Sequence, residues 1–95
     1  MASYVLVHGG WAGGFQWQKV ASRLRAAGHD VYTPTLTGLG ERSHLAHPDI
    51  DLNTHIQDIV NVLVFEGLQN VILAGHSIAG MVITGVAELI PPSHL

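Results

Sequence analysis

Val71-Ile72-Leu73-Ala74-Gly75-His76-Ser77-Ile78-Ala79-Gly80 is the stretch on which the fold turns. Val71 to Ala74 is an apolar run of strand length, and Ser77 to Ile90 is helical in pattern, with Pro91-Pro92 as its stop signal. A serine between the two occupies a tight strand-to-helix turn, which lifts its hydroxyl above the sheet and admits only small residues two places either side. Gly75 and Ala79 fill those places. The pattern reads G-x-S-x-A, with Gly80 one position later. Alanine is still small enough for the bend.

Upstream, the same alternation repeats. Tyr4-Val5-Leu6-Val7-His8 predicts a strand covered on both faces and closed by Gly9-Gly10. Trp17, Val20, Ala21 and Leu24 recur at helical spacing, and Gly28 stands where a left-handed C-cap would end that helix. Val31 to Pro34 predicts a second strand. Leu52, Ile56, Ile59, Val60, Leu63 and Val64 trace a second helical stripe, with Asp51 as N-cap, Asp58 and Asn61 on the opposite face and Gly67 at the end.

Strand, helix, strand, helix, strand, helix predicts the α/β class: a parallel sheet of about three strands, in the order 2-1-3, with flanking helices. The connection from Thr35 to Ile50 exceeds the ~12–15 residues usual without structure of its own. Its Gly38, Gly40 and Glu41-Arg42 suit either a surface excursion beside a site or a solvated linker.

The 95 residues make one domain at most, and 47% hydrophobic content excludes disorder. Only 12% of residues are charged, about half the ~25% usual for a soluble domain. That leaves little to cover the outside and predicts more protein around the chain. A net charge of -3 without a basic run argues against nucleic acid and anionic membranes as partners. No apolar stretch approaches the ~20 residues of a membrane span, and Met1 to Ser3 lack a basic leader. A soluble, unprocessed, cytoplasmic protein is the expectation. The absence of Cys is compatible with a reducing cytoplasm, though equally with other compartments.

The chemistry centres on Ser77. The Ile78 amide lies at a helix N-terminus, aimed at the oxygen that becomes negative in acyl transfer. A second donor is available from Gly10, in the turn after the first strand, where glycine lets the main chain approach a ligand. In a 2-1-3 sheet those strand ends meet at the switch-point crevice. Trp11, beside this proposed oxyanion hole, is the candidate substrate-binding side chain; Trp17 falls on the helix stripe and is expected in the core. His76 and His8 are assigned packing or hydrogen-bonding roles. His44, His47 and His55 lack a clear acidic partner and make a poor metal site, so no metal is expected. The glycines do not match G-x-G-x-x-G, there is no G-K-[ST], and no cofactor is required.

Together with the elbow at Ser77, Val5-Leu6-Val7-His8-Gly9-Gly10-Trp11, the run from Leu24 to Tyr32 and the run from Pro34 to Ser43 resemble the α/β-hydrolase superfamily. The likeness is to its small esterase branch of pyrethroid-hydrolase-like esterases, plant methyl esterases and hydroxynitrile lyases. The resemblance implies Ser77 as nucleophile, the Gly10 and Ile78 amides as oxyanion hole, and a Ser, Asp, His triad cleaving small apolar esters through an acyl-enzyme. Beyond Ser77 the chain offers only Glu88 and His94. Eleven helical residues put Glu88 roughly 16 Å from Ser77 along the axis. The resemblance therefore implies the N-terminal half of an α/β-hydrolase domain, 1–95, with impaired or no intrinsic activity and a sheet edge open to self-association or a partner chain. A non-catalytic remnant or interaction module, and hydroxynitrile-lyase-like chemistry in a full-length relative, stand as alternatives.

Overall fold

The computed structural model describes residues 2–90 and residue 95. His94 and the Pro91-Pro92 stop lie outside the described residues. Strand β1, Ser3–Val7, is central. Strand β2, Asp30–Tyr32, and strand β3, Val71–Gly75, flank it in parallel, giving the order β2-β1-β3 expected from the alternating pattern. Tyr4 lies opposite both Val31 and Ile72, and Val7 lies opposite Gly75.

The two-residue period of β1 sorts its side chains between two cores. Leu6 packs with Ala21 and Val31 under helix α1, Gln18–Ala26. Val5 and Val7 turn the other way, into a larger cluster with Ile59 and Leu63 of helix α2, Leu52–Phe65, and Val82 and Val86 of helix α3, Ala79–Leu89. A strand covered on both faces is what the unbroken apolar run requires.

Several boundaries differ from the sequence reading for local reasons. Trp17 closes a 3-10 turn, Gly14–Trp17, before α1 begins, and it packs against the smaller core as expected. Val20 is exposed, although Ala21 and Leu24 of the same stripe pack into the smaller core. On α2 the capping box is present: Asp51 Oδ1 accepts from the Thr54 amide at 3.1 Å and Thr54 Oγ1 accepts from the Asp51 amide at 3.3 Å. Gly28 and Gly67 follow α1 and α2 at φ of +93° and +63°, the left-handed exits that the sequence signals. Helix α3 starts two residues later than the stripe implies, since Ser77 has a φ of +59°, incompatible with a right-handed helix. It ends before Ile90, whose extended backbone (φ −103°, ψ 152°) is the conformation favoured ahead of Pro91.

The excursion from Thr35 to Ile50 is not a bare linker. It contains the 3-10 segment Gly40–Leu45 and is pinned at its base. The Thr35 hydroxyl donates to Glu41 Oε2 at 2.8 Å, and an Arg42 guanidinium nitrogen donates to the Thr35 carbonyl at 2.9 Å. The Thr35 hydroxyl holds the Glu41 carboxyl below its ordinary pKa by favouring the ionised form, aided by Glu41's own backbone.

Candidate active site

Two turns meet at the C-terminal ends of β1 and β3. The first begins with His8, which is fully buried. Its Nδ1 donates to the Gly9 carbonyl at 2.7 Å and its Nε2 accepts from the Leu36 amide at 2.9 Å. One imidazole thus joins the glycine turn to the excursion, the ordering role the sequence assigns it.

The second turn is the elbow. The His76 amide donates to the Val7 carbonyl at 3.1 Å, which continues the β1–β3 ladder one step. The chain then reverses: the amides of Ala79, Gly80 and Met81 bond back to the carbonyls of His76, Ser77 and Ile78 at 3.1, 3.0 and 3.0 Å. This tightness explains the small residues. A β-carbon on Gly75 would lie 3.1 Å from three atoms of Ala79, closer than nearly all real contacts. Ser77 is exposed at a positive φ, a strained state that persists only where surrounding structure imposes it. Among the described residues its hydroxyl has no hydrogen-bond partner.

The glycine turn lies directly on this elbow. A β-carbon on Gly9 would come within 2.8 Å of His76 Nδ1 and 3.5 Å of Ser77 Cβ, so any side chain there would separate the turns. One on Gly10 would sit 3.7 Å from Ile78 Cγ2. Ser77, Gly10 and Ile78 are therefore brought together. Within the described residues neither the Gly10 nor the Ile78 amide has an acceptor. Ile78 is the first residue before α3, where the helix dipole adds positive potential.

Trp11 is placed differently from the other three. It is also left-handed (φ +63°), its indole is 99% exposed, and it lines none of the cavity beside the elbow. That cavity has a volume of about 280 Å³. Gly10 and Ile78 open onto it, Leu36, Leu39, Met81 and Val82 make its apolar walls, and the first turn of α2 closes it.

Three residues to which the sequence reading gives no part in the site hold the arrangement. Gln16 bridges the turns: its Oε1 accepts from the Gly9 amide at 2.9 Å and its Nε2 donates to His76 Nδ1 at 3.2 Å. Asp58, expected on the solvent face of α2, instead accepts from the Thr37 amide and hydroxyl, both at 2.7 Å. His55 donates from Nε2 to the Thr37 carbonyl at 3.2 Å, whereas His44 and His47 are exposed. The overlooked signal is that Asp51, His55 and Asp58 fall at i, i+4 and i+7, a polar stripe beside the apolar one. No described residue reaches the Ser77 hydroxyl as a base, since His76 is engaged by Gln16.

A model of the alpha/beta hydrolase family matches residues 4–94. The chain is 53% identical over 92 residues to the carbendazim hydrolyzing esterase of Nocardioides sp. (strain SG-4G), covering 97% of this chain and 38% of that protein. It is 31% identical over 91 residues to polyneuridine aldehyde esterase of Rauvolfia serpentina, covering 93% and 34%. Among solved structures it superposes on an extracellular alpha/beta-hydrolase from a Paenibacillus species with a TM-score of 0.88 and 33% identity, covering 98% of this chain and 37% of that one. The chain thus spans little more than a third of the length of the relatives it matches. By sheet order, elbow and sequence alike, it belongs to the alpha/beta hydrolase family.

Proposed function

We propose that the chain supplies the nucleophile and the oxyanion-binding groups of a serine carboxylesterase acting on small apolar esters. Ser77 Oγ forms the bond to the ester carbonyl carbon and passes its proton to a base. The carbonyl oxygen, now negative, accepts from the Gly10 and Ile78 amides. Collapse expels the alcohol, which takes up that proton, and water then hydrolyses the acyl-enzyme. The observation that carries this reading is the strained, exposed Ser77 at a junction where two unpaired amides share one cavity. The esterase names of the relatives support the same direction.

The base and its orienting acid belong, on this proposal, to sequence beyond these 95 residues, which then form the N-terminal half of a hydrolase domain. Trp11 is assigned the outer rim of the substrate site, because its indole stands free beside the Gly10 turn. A fluorophosphonate probe tests the nucleophile. We expect Ser77 to be labelled when the chain is supplemented with the remaining part of the Nocardioides relative, and the label to vanish in Ser77→Ala. Label retained in that variant overturns the assignment.

A second reading, a non-catalytic module that presents its open sheet edge to another chain, is favoured by the absence of a base near Ser77 among the described residues. Turnover of p-nitrophenyl acetate by the supplemented chain, lost in Ser77→Ala, refutes it.

A further inference from the structure

The polar groups around the cavity divide by chemistry. The glycine turn and the elbow contribute backbone donors, at Gly10 and Ile78. The first turn of α2 contributes Asp51 and His55, the polar side chains among the lining residues. His55 Nε2 faces a carbonyl oxygen, that of Thr37, and a carbonyl only accepts, so Nε2 carries the proton. In the neutral ring Nδ1 is then a bare acceptor, and no described residue donates to it. Asp51, though exposed, also has an acceptor to spare: its Oδ1 takes both Thr54 bonds, which leaves Oδ2 without a donor among the described residues. An acceptor on the wall of an otherwise apolar cavity is costly to dehydrate unless the occupant satisfies it.

We propose that His55 is a specificity-determining residue, and that the cavity takes a group carrying an N–H or O–H donor, which Nδ1 of His55 reads. The inference rests on the esterase reading for calling this occupant part of the substrate. It names the substrate class as esters whose apolar portion bears a hydrogen-bond donor, with the carbonyl oxygen held at the Gly10 and Ile78 amides. Asp51 Oδ2 favours the same polarity. Asp58 holds the Thr37 amide and hydroxyl, so the excursion has an anchor besides the His55 Nε2 bond.

Indole and 1-methylindole test the proposal on the 95-residue chain itself. Both are flat and apolar, and 1-methylindole has the larger apolar surface, so burial alone favours it. Titrations followed by the amide resonances of Leu39 and Met81 should show indole binding about threefold to tenfold tighter, the worth of one satisfied acceptor. In His55→Phe the order should reverse, whereas His55→Gln, which keeps a donor for Thr37 and an acceptor for the ligand, should retain indole preference. Equal or tighter binding of 1-methylindole by the native chain overturns the proposal, and so does absence of binding by both probes; neither result needs a variant. Indole preference that survives in His55→Phe overturns it too. Fluorophosphonate labelling in parallel separates the two readings. Loss of preference with Ser77 still labelled removes the His55 inference alone, and loss of labelling with the preference intact removes the esterase reading alone.

Discussion

Ser77 shows how much one residue's backbone can decide. A non-glycine side chain at φ +59° costs of order 1 kcal/mol, and α3 cannot begin until the chain has left that conformation. Ser77→Gly removes the strain, whereas Ser77→Ala keeps it. Urea denaturation should therefore find Ser77→Gly about 0.5–1 kcal/mol more stable than Ser77→Ala, although both lose the proposed nucleophile; equal midpoints would mean that the bend is unstrained. At this scale the sequence was legible where neighbours along the chain constrain one another. Gly75 and Ala79 flank the serine by two places, and their contact is what makes the bend. Gln16 was illegible for the opposite reason. Its partner His76 is 60 residues away, and nothing within its own turn distinguishes it from a solvated glutamine.

Among the elements, α2 carries two roles at once. Ile56, Ile59 and Leu63 bury themselves in the larger core between β1 and α3, while His55 and Asp58, rotated toward the excursion, hold the Thr37 carbonyl, amide and hydroxyl. Asp58→Ala leaves a half-buried Thr37 amide without an acceptor. It should cost about 1–3 kcal/mol, measured as a drop in urea midpoint, with Asp58→Asn recovering part of the loss through its remaining oxygen. An unchanged midpoint in the alanine variant would show the clamp to be ornamental. Element type was readable from periodicity, and helix ends from Asp51, Gly28 and Gly67. The face occupied by Asp58 was not, because an apolar stripe identifies the buried side of a helix but does not say what lies against its flank. The charged pair Glu41-Arg42 was similarly ambiguous, since both side chains bond to Thr35 while Glu41 stays exposed.

For the whole molecule, the accessible area of 5636 Å² is close to the roughly 5300 Å² expected of a monomer of this mass. Its extent is ordinary and its composition is not. Phe65, Leu89 and Ile72 are 82%, 67% and 46% exposed, and β2 and β3 each have one edge unpaired among the described residues. Exposed apolar side chains next to an unpaired strand favour association. The isolated chain should elute above its monomer mass in size exclusion and shift later on dilution, and Ile72→Lys with Leu89→Lys should shift it toward the monomer. A native chain that stays monomeric at every concentration would contradict this. The low charge content already pointed to such a surface; which residues form it depends on how the helices lie on the sheet. None of the described helices is long and apolar enough to cross a membrane.

The imidazole wedged between the Gly9 carbonyl and the Leu36 amide makes two distant stretches of backbone thermally inseparable. When heat frees residues 35–50 from the body of the protein, the anchor of the first glycine turn is lost in the same event. The proposed oxyanion site should then come apart while all three strands remain paired, so the glycine turn loosens on warming before the sheet unfolds, at a temperature governed by the weakest seam around the excursion.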